Sequence, residues 1–126
     1  MNELPTPTPR ELEILKVLWE EGPSSVGAVH ARLTEREPGL AYNTVQTMLR
    51  IMEGKDLVAH ELTGRTFIYT ARFTRDESTA RFLDRVFDGA AAQLVQSLLR
   101  SERISAEELK RMRALIDEAR RGKGRR

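Results

Sequence analysis

The 126-residue chain predicts a mainly α fold with a small β-hairpin wing: an N-terminal winged helix-turn-helix followed by a C-terminal helical dimerisation region. Three observations predict it. Three short segments between Pro9 and Gly54 carry apolar residues at helical spacing, separated by Gly-Pro and Pro-Gly breaks. Two β-rich runs around a Gly-containing turn follow at once, between Leu57 and Thr70. After Phe73 three more helical segments appear. Short helices bury their stripes only against one another, and a hairpin closes the side of such a bundle. The expected domains are residues 1–73 (winged helix), 74–121 (dimerisation) and 122–126 (basic tail).

Residues 1–7 alternate Pro and Thr and read as a loose lead-in. Thr8-Pro9-Arg10-Glu11 is a strong helix start, because Thr8 caps, Pro9 suits the first helical position and Glu11 completes a capping box. Leu12, Leu15, Leu18 and Trp19 form that helix's apolar face, with Trp19 as its anchor, and Gly22-Pro23 ends it. Ser24 or Ser25 caps a second helix through Val26, Val29 and Leu33, and Glu37-Pro38-Gly39 breaks the chain again. A third helix runs from about Ala41 to Gly54, with Val45, Met48, Leu49 and Met52 at i, i+3, i+4 and i+7. Leu57–Leu62 and Thr66–Thr70 flank Thr63-Gly64-Arg65 as a hairpin.

Thr74-x-x-Glu77 is a second capping box, leading a helix with Phe82, Leu83, Val86 and Phe87 on one face before Gly89. Ala91 to about Leu99 carries Leu94, Val95, Leu98 and Leu99. Ser105-x-x-Glu108 is a third capping box, opening a last helix with Leu109, Met112, Leu115, Ile116 and Ala119. Three helices in so short a stretch seldom stand alone, and a symmetric pair is the simplest way to cover their apolar faces.

Composition narrows the function classes. No run approaches the roughly 20 apolar residues that span a bilayer, and no export signal is visible, so a cytoplasmic location without membrane insertion is expected. The absence of Cys excludes disulfides, thiolate metal sites and cysteine nucleophiles. Only His30 and His60 supply imidazoles; both read as packing or surface residues, and no set of further ligands suggests zinc. No phosphate loop, HExxH or GxSxG element appears, so no enzyme, cofactor, metal or small-molecule substrate is expected. The pI of 9.3 is weak evidence for nucleic acid, because residues 1–73 hold 8 Lys+Arg against 10 Asp+Glu, whereas residues 74–126 hold 13 against 9.

The third helix carries the functional signal. Opposite its apolar stripe lie Asn43, Thr44, Gln46, Thr47 and Arg50. Asn and Thr are poor helix formers, and a face built only for solubility favours Glu and Lys. Amides and hydroxyls suit base edges in a major groove, where Gln46 or Asn43 would meet adenine and a Thr methyl would meet thymine. Arg50 would reach phosphate or guanine, Lys55 the backbone, and Arg65 at the hairpin tip phosphate or the minor groove. Thr8, Arg10 and Tyr42 would add phosphate bonds. Taken singly, these residues also read as helix caps and solvated charges. A protein-interaction adaptor that never touches DNA is the alternative, motivated by the acidic balance of residues 1–73.

Thr8-Pro9-Arg10-Glu11-Leu12-Glu13-Ile14-Leu15, Val17-Leu18-Trp19, Ala41 to Leu49, Gly54 to Val58 and Gly64-Arg65-Thr66-Phe67-Ile68-Tyr69 together resemble the penicillinase repressor (BlaI/MecI/CopY) family over nearly the whole chain. Asn43 stands where the family's Ala-Tyr-Thr-Thr-Val form has its first Thr. The resemblance implies a homodimeric repressor of resistance or metal-homeostasis genes on palindromic operators. Copper-responsive members bind metal through C-terminal cysteines, which this chain lacks. β-Lactam-responsive members are cut by a membrane sensor protease between Asn and Phe. By position that bond falls at Ser97-Leu98, neither of which is the family's residue.

Overall fold

The computed structural model describes residues 6–124. Most of the expected lead-in, and Arg125 and Arg126 of the expected basic tail, lie outside the described residues. The chain divides into two units, residues 1–79 and 80–126.

In the first unit, α1 (Pro9–Glu21) starts on a complete capping box: the Thr8 hydroxyl accepts from Glu11 N–H at 3.2 Å, and the Glu11 carboxylate accepts from Thr8 N–H at 2.9 Å. Gly22 ends it at φ +81°, a left-handed conformation that glycine tolerates. Ser25, not Ser24, caps α2 (Val26–Thr34), accepting from Ala28 N–H at 3.1 Å. α3 (Tyr42–Gly54) follows Ala41 as its N-cap residue. It ends in a Schellman reversal: Asp56 sits at φ +62°, and Leu57 N–H donates to Met52 C=O at 2.9 Å. Leu57 and Met52 are both fully buried there, so the turn that launches the wing is fixed by packing as well as by hydrogen bonds.

The wing differs from the simple hairpin expected. β2 (Val58–Thr63) and β3 (Thr66–Ala71) pair antiparallel around Gly64-Arg65, with Gly64 at φ +64°. A third strand, β1 (Ser24–Ser25), pairs with Ile68 and Tyr69, giving the order β1-β3-β2. Two residues are too short to show a period-2 pattern, so β1 leaves no mark in the sequence. The strand ties the start of α2 to the wing.

All three helices and the sheet share one core built from Ile14, Leu15, Leu18, Val29, Val45, Leu49, Met52, Leu57, Val58 and Tyr69, with Phe73 at its edge. Trp19 packs edge-to-face on Phe73 and donates its indole N–H to the Phe73 carbonyl at 2.9 Å. Arg75 lies 5.6 Å over the Trp19 ring. α4 (Arg75–Phe87) begins there on the expected box of Thr74 and Glu77.

The second unit contains the rest of α4, α5 (Ala91–Arg100) and α6 (Ala106–Gly124). Ser105 caps α6, which extends through Gly124, so residues 122–124 of the expected tail are helical. None of these three helices has a buried residue. Phe82, Val86, Leu98, Leu99, Leu109, Leu115 and Ile116 are exposed, and Leu83, Phe87, Leu94 and Met112 are half-buried. Among the described residues no helix is long and apolar enough to cross a membrane.

Candidate nucleic-acid interface

α3 divides cleanly into two faces. Val45, Leu49 and Met52 are buried in the core. Tyr42, Asn43, Thr44, Thr47 and Arg50 are exposed, and Gln46 is half-buried. No side chain caps the helix, and among the described residues neither Asn43 nor Thr44 has a side-chain hydrogen-bond partner. Capping therefore does not account for these poor helix formers.

The exposed face borders an open groove of about 440 Å³. Ser25, Val26 and Gly27 at the start of α2 form one side, Tyr42, Gln46 and Arg50 of α3 another, and Arg65, Thr66, Phe67 and Tyr69 of the wing the third. Arg50 and Arg65 thus approach one groove from two elements, and neither forms an ion pair among the described residues. Tyr42 is held from behind by the His30 ring, edge-on at 5.8 Å, whose Nε2 lies 2.8 Å from the Leu40 carbonyl. Tyr69 is buried beneath the groove; burial and the nearby Glu53 charge push its hydroxyl above the usual tyrosine range, against the opposing effect of Arg50.

Three residues expected at the interface are engaged elsewhere. The Thr8 hydroxyl caps α1. Arg10 lies 2.7 Å from Glu37. Lys55 lies 2.8 Å from Glu11, a buried carboxylate. Burial alone would raise the Glu11 pKa, but hydrogen bonds from Lys55 and Thr8 N–H, with the Lys55 charge, hold it below the usual carboxylate range. This pairing joins residues 44 apart in sequence, and no local signal marks it.

The acids of α1 and α2 that counted against a nucleic-acid reading sit apart from the groove. Glu13, Glu20, Glu35 and Glu37 line a separate groove between α1 and α2, which no α3 residue enters. Arg10, Lys16 and Arg32 pair with them, and Arg32 also with Glu21. The net charge of the first unit therefore misstates the charge at α3. Sequence reasoning missed the contribution of Ser25, Val26 and Gly27 and of Phe67, which read as a cap, a helix start and an ordinary strand residue. Among the described residues no three His, Asp or Glu side chains converge as metal ligands would.

Comparison with known proteins agrees with this geometry. The family model described as penicillinase repressor matches residues 7–118. A penicillinase repressor from Bacillus licheniformis is 26% identical over 122 residues, covering 94% of each chain. The solution structure of monomeric BlaI from Bacillus licheniformis, in complex with the blaP half-operator, is 28% identical, with a TM-score of 0.52 over 61% of this chain and 93% of that one. A MarR family protein from Bacillus stearothermophilus shares the fold, with a TM-score of 0.50 at 21% identity over 93% of this chain and 75% of its own. The chain belongs to the penicillinase repressor family of winged-helix DNA-binding transcription regulators.

Proposed function

We propose that this repressor lays α3 in the major groove of operator DNA while the wing meets the sugar–phosphate backbone. One observation carries the reading: the outward face of α3 holds uncapped Asn43 and Thr44 beside Gln46 and Arg50, across a groove from Arg65. Gln46, Asn43 and Thr47 read base edges, and Tyr42, Arg50 and Arg65 hold phosphates. Thr8, Arg10 and Lys55 serve the domain that presents this face. The half-operator bound by the Bacillus licheniformis relative supports DNA as the ligand.

The protein acts as a homodimer on a palindromic operator, and the exposed stripes of α4, α5 and α6 form the pairing surface. Proteolysis in α5, around the exposed Ser97 and Leu98, releases it by lowering the dimer population, with a membrane sensor protease as the partner. A gel-shift titration against the gene's own upstream DNA tests the DNA reading. Retardation should weaken steeply with salt, and Gln46→Ala should lose about 1–3 kcal/mol on the cognate site alone. No retardation at low salt overturns it in favour of an adaptor. Sedimentation velocity tests the pairing: a species at twice the 14.4 kDa chain mass is expected.

A further inference from the structure

His60 sits between the reading helix and the wing. It lies on β2, an edge strand of the sheet, and its Nδ1 is 2.7 and 2.8 Å from the two carboxylate oxygens of Glu53 on α3. A carboxylate only accepts, so Nδ1 carries the hydrogen and donates. The same ring stacks on Phe67 of β3 at 4.4 Å between centroids, with Tyr69 tilted against it at 5.6 Å. Phe67 and Tyr69 line the groove with Arg50, which lies one turn before Glu53. The wing's tip is otherwise lightly held: Leu62 and Phe67 are exposed, and the last ladder pair before the turn is Thr63 with Thr66. Among the described residues no other side-chain hydrogen bond links α3 to the hairpin.

We propose that His60 is a positioning residue for DNA binding: tied to α3 through Glu53 and stacked on Phe67, it fixes the distance from Arg65 at the wing tip to the reading face of α3. The inference rests on the proposed operator binding.

The test is a double-mutant cycle on operator affinity with His60→Phe, His60→Asn and Arg65→Ala in the full chain. His60→Phe keeps a ring on Phe67 and loses the donation; His60→Asn restores a donor near the Nδ1 position and loses the ring. Arg65→Ala should weaken binding about 3- to 10-fold and reduce the slope of log K against log salt by about one. His60→Phe should weaken binding by a similar factor and lower the slope in the same way, while His60→Asn stays within about twofold of the parent. The double variant His60→Phe/Arg65→Ala should be no weaker than Arg65→Ala alone. Thermal unfolding confirms that each exposed-site variant is folded. Additive effects of His60→Phe and Arg65→Ala, or an unchanged salt slope in His60→Phe, overturn the proposal while leaving DNA binding by the wing intact. If Arg65→Ala changes neither affinity nor slope, the wing does not meet the backbone and the positioning role falls with that part of the proposed function.

Discussion

In the first unit the apolar stripes of α1, α2 and α3 meet each other and the inner side of the sheet, and fourteen apolar side chains are buried. In the second unit α4, α5 and α6 also carry apolar stripes, yet among the described residues no side chain on these helices is buried. The difference is one of partners. Residues 9–73 contain every surface their core needs, including a sheet that covers the side of the helix bundle. The second unit offers Phe82, Val86, Leu98, Leu109 and Ile116 to water, the surface that the proposed pairing would cover. The first unit presents a polar face on α3; the second presents apolar faces on α4, α5 and α6.

Substitutions in the two units should therefore fail in different ways. The largest effect is expected from Ile116→Asp. A carboxylate in an apolar pairing surface should turn the dimer into monomers in sedimentation velocity. A two-half-site operator should then bind about 10²- to 10⁴-fold more weakly, while a single half-site binds almost unchanged. A dimer that persists would place the pairing surface elsewhere. Leu49→Ala sharpens the contrast from the other side. Leu49 is fully buried against the core, so its truncation should cost about 2–5 kcal/mol in chemical denaturation of the first unit. The pairing equilibrium of the folded chain should stay the same. Next in size, Gln46→Ala should lower affinity for the cognate operator by about 1–3 kcal/mol and leave unrelated DNA unaffected, read by competition gel shifts. Equal losses on both DNAs would remove Gln46 from base reading.

The contrast also explains what the sequence made legible. The helix stripes, both capping boxes at Thr8 and Thr74, the Gly22 stop and the polar face of α3 are local patterns, and the structure carries all of them. Each is set by residues within about one helical turn of one another. What stayed hidden is long-range. β1 is two residues whose pairing with β3 depends on a strand more than forty positions away. Lys55 reads as a free cation after α3, yet the buried Glu11 claims it. The acids of α1 and α2 weigh on the net charge of the domain, but they face Arg10, Lys16 and Arg32 away from the groove. Charge sums have no direction, and only the fold tells which acid opposes which base.

The Glu11–Lys55 pair gives the smallest expected effect and the one most particular to the first unit. Glu11 is buried at the N-terminus of α1 and accepts from Thr8 N–H and Lys55, which stands just past the end of α3. Against the upward push of burial, the Lys55 and Thr8 hydrogen bonds and the Lys55 charge hold its folded pKa below the usual carboxylate range. A depressed pKa means that the unfolded chain binds the proton more tightly. The stabilisation is therefore fully present above about pH 4.5 and is lost as the pH falls through the lower, folded value. Glu11→Gln keeps the shape and removes the charge, so it should cost about 1–2 kcal/mol near pH 7, a drop of several degrees in Tm. Urea titrations of parent and variant from about pH 7 downward should then converge as the pH falls through the lowered folded pKa of the parent's carboxylate. A gap that keeps its full size as the pH falls would mean that Glu11 does not stabilise the fold through its ionised carboxylate.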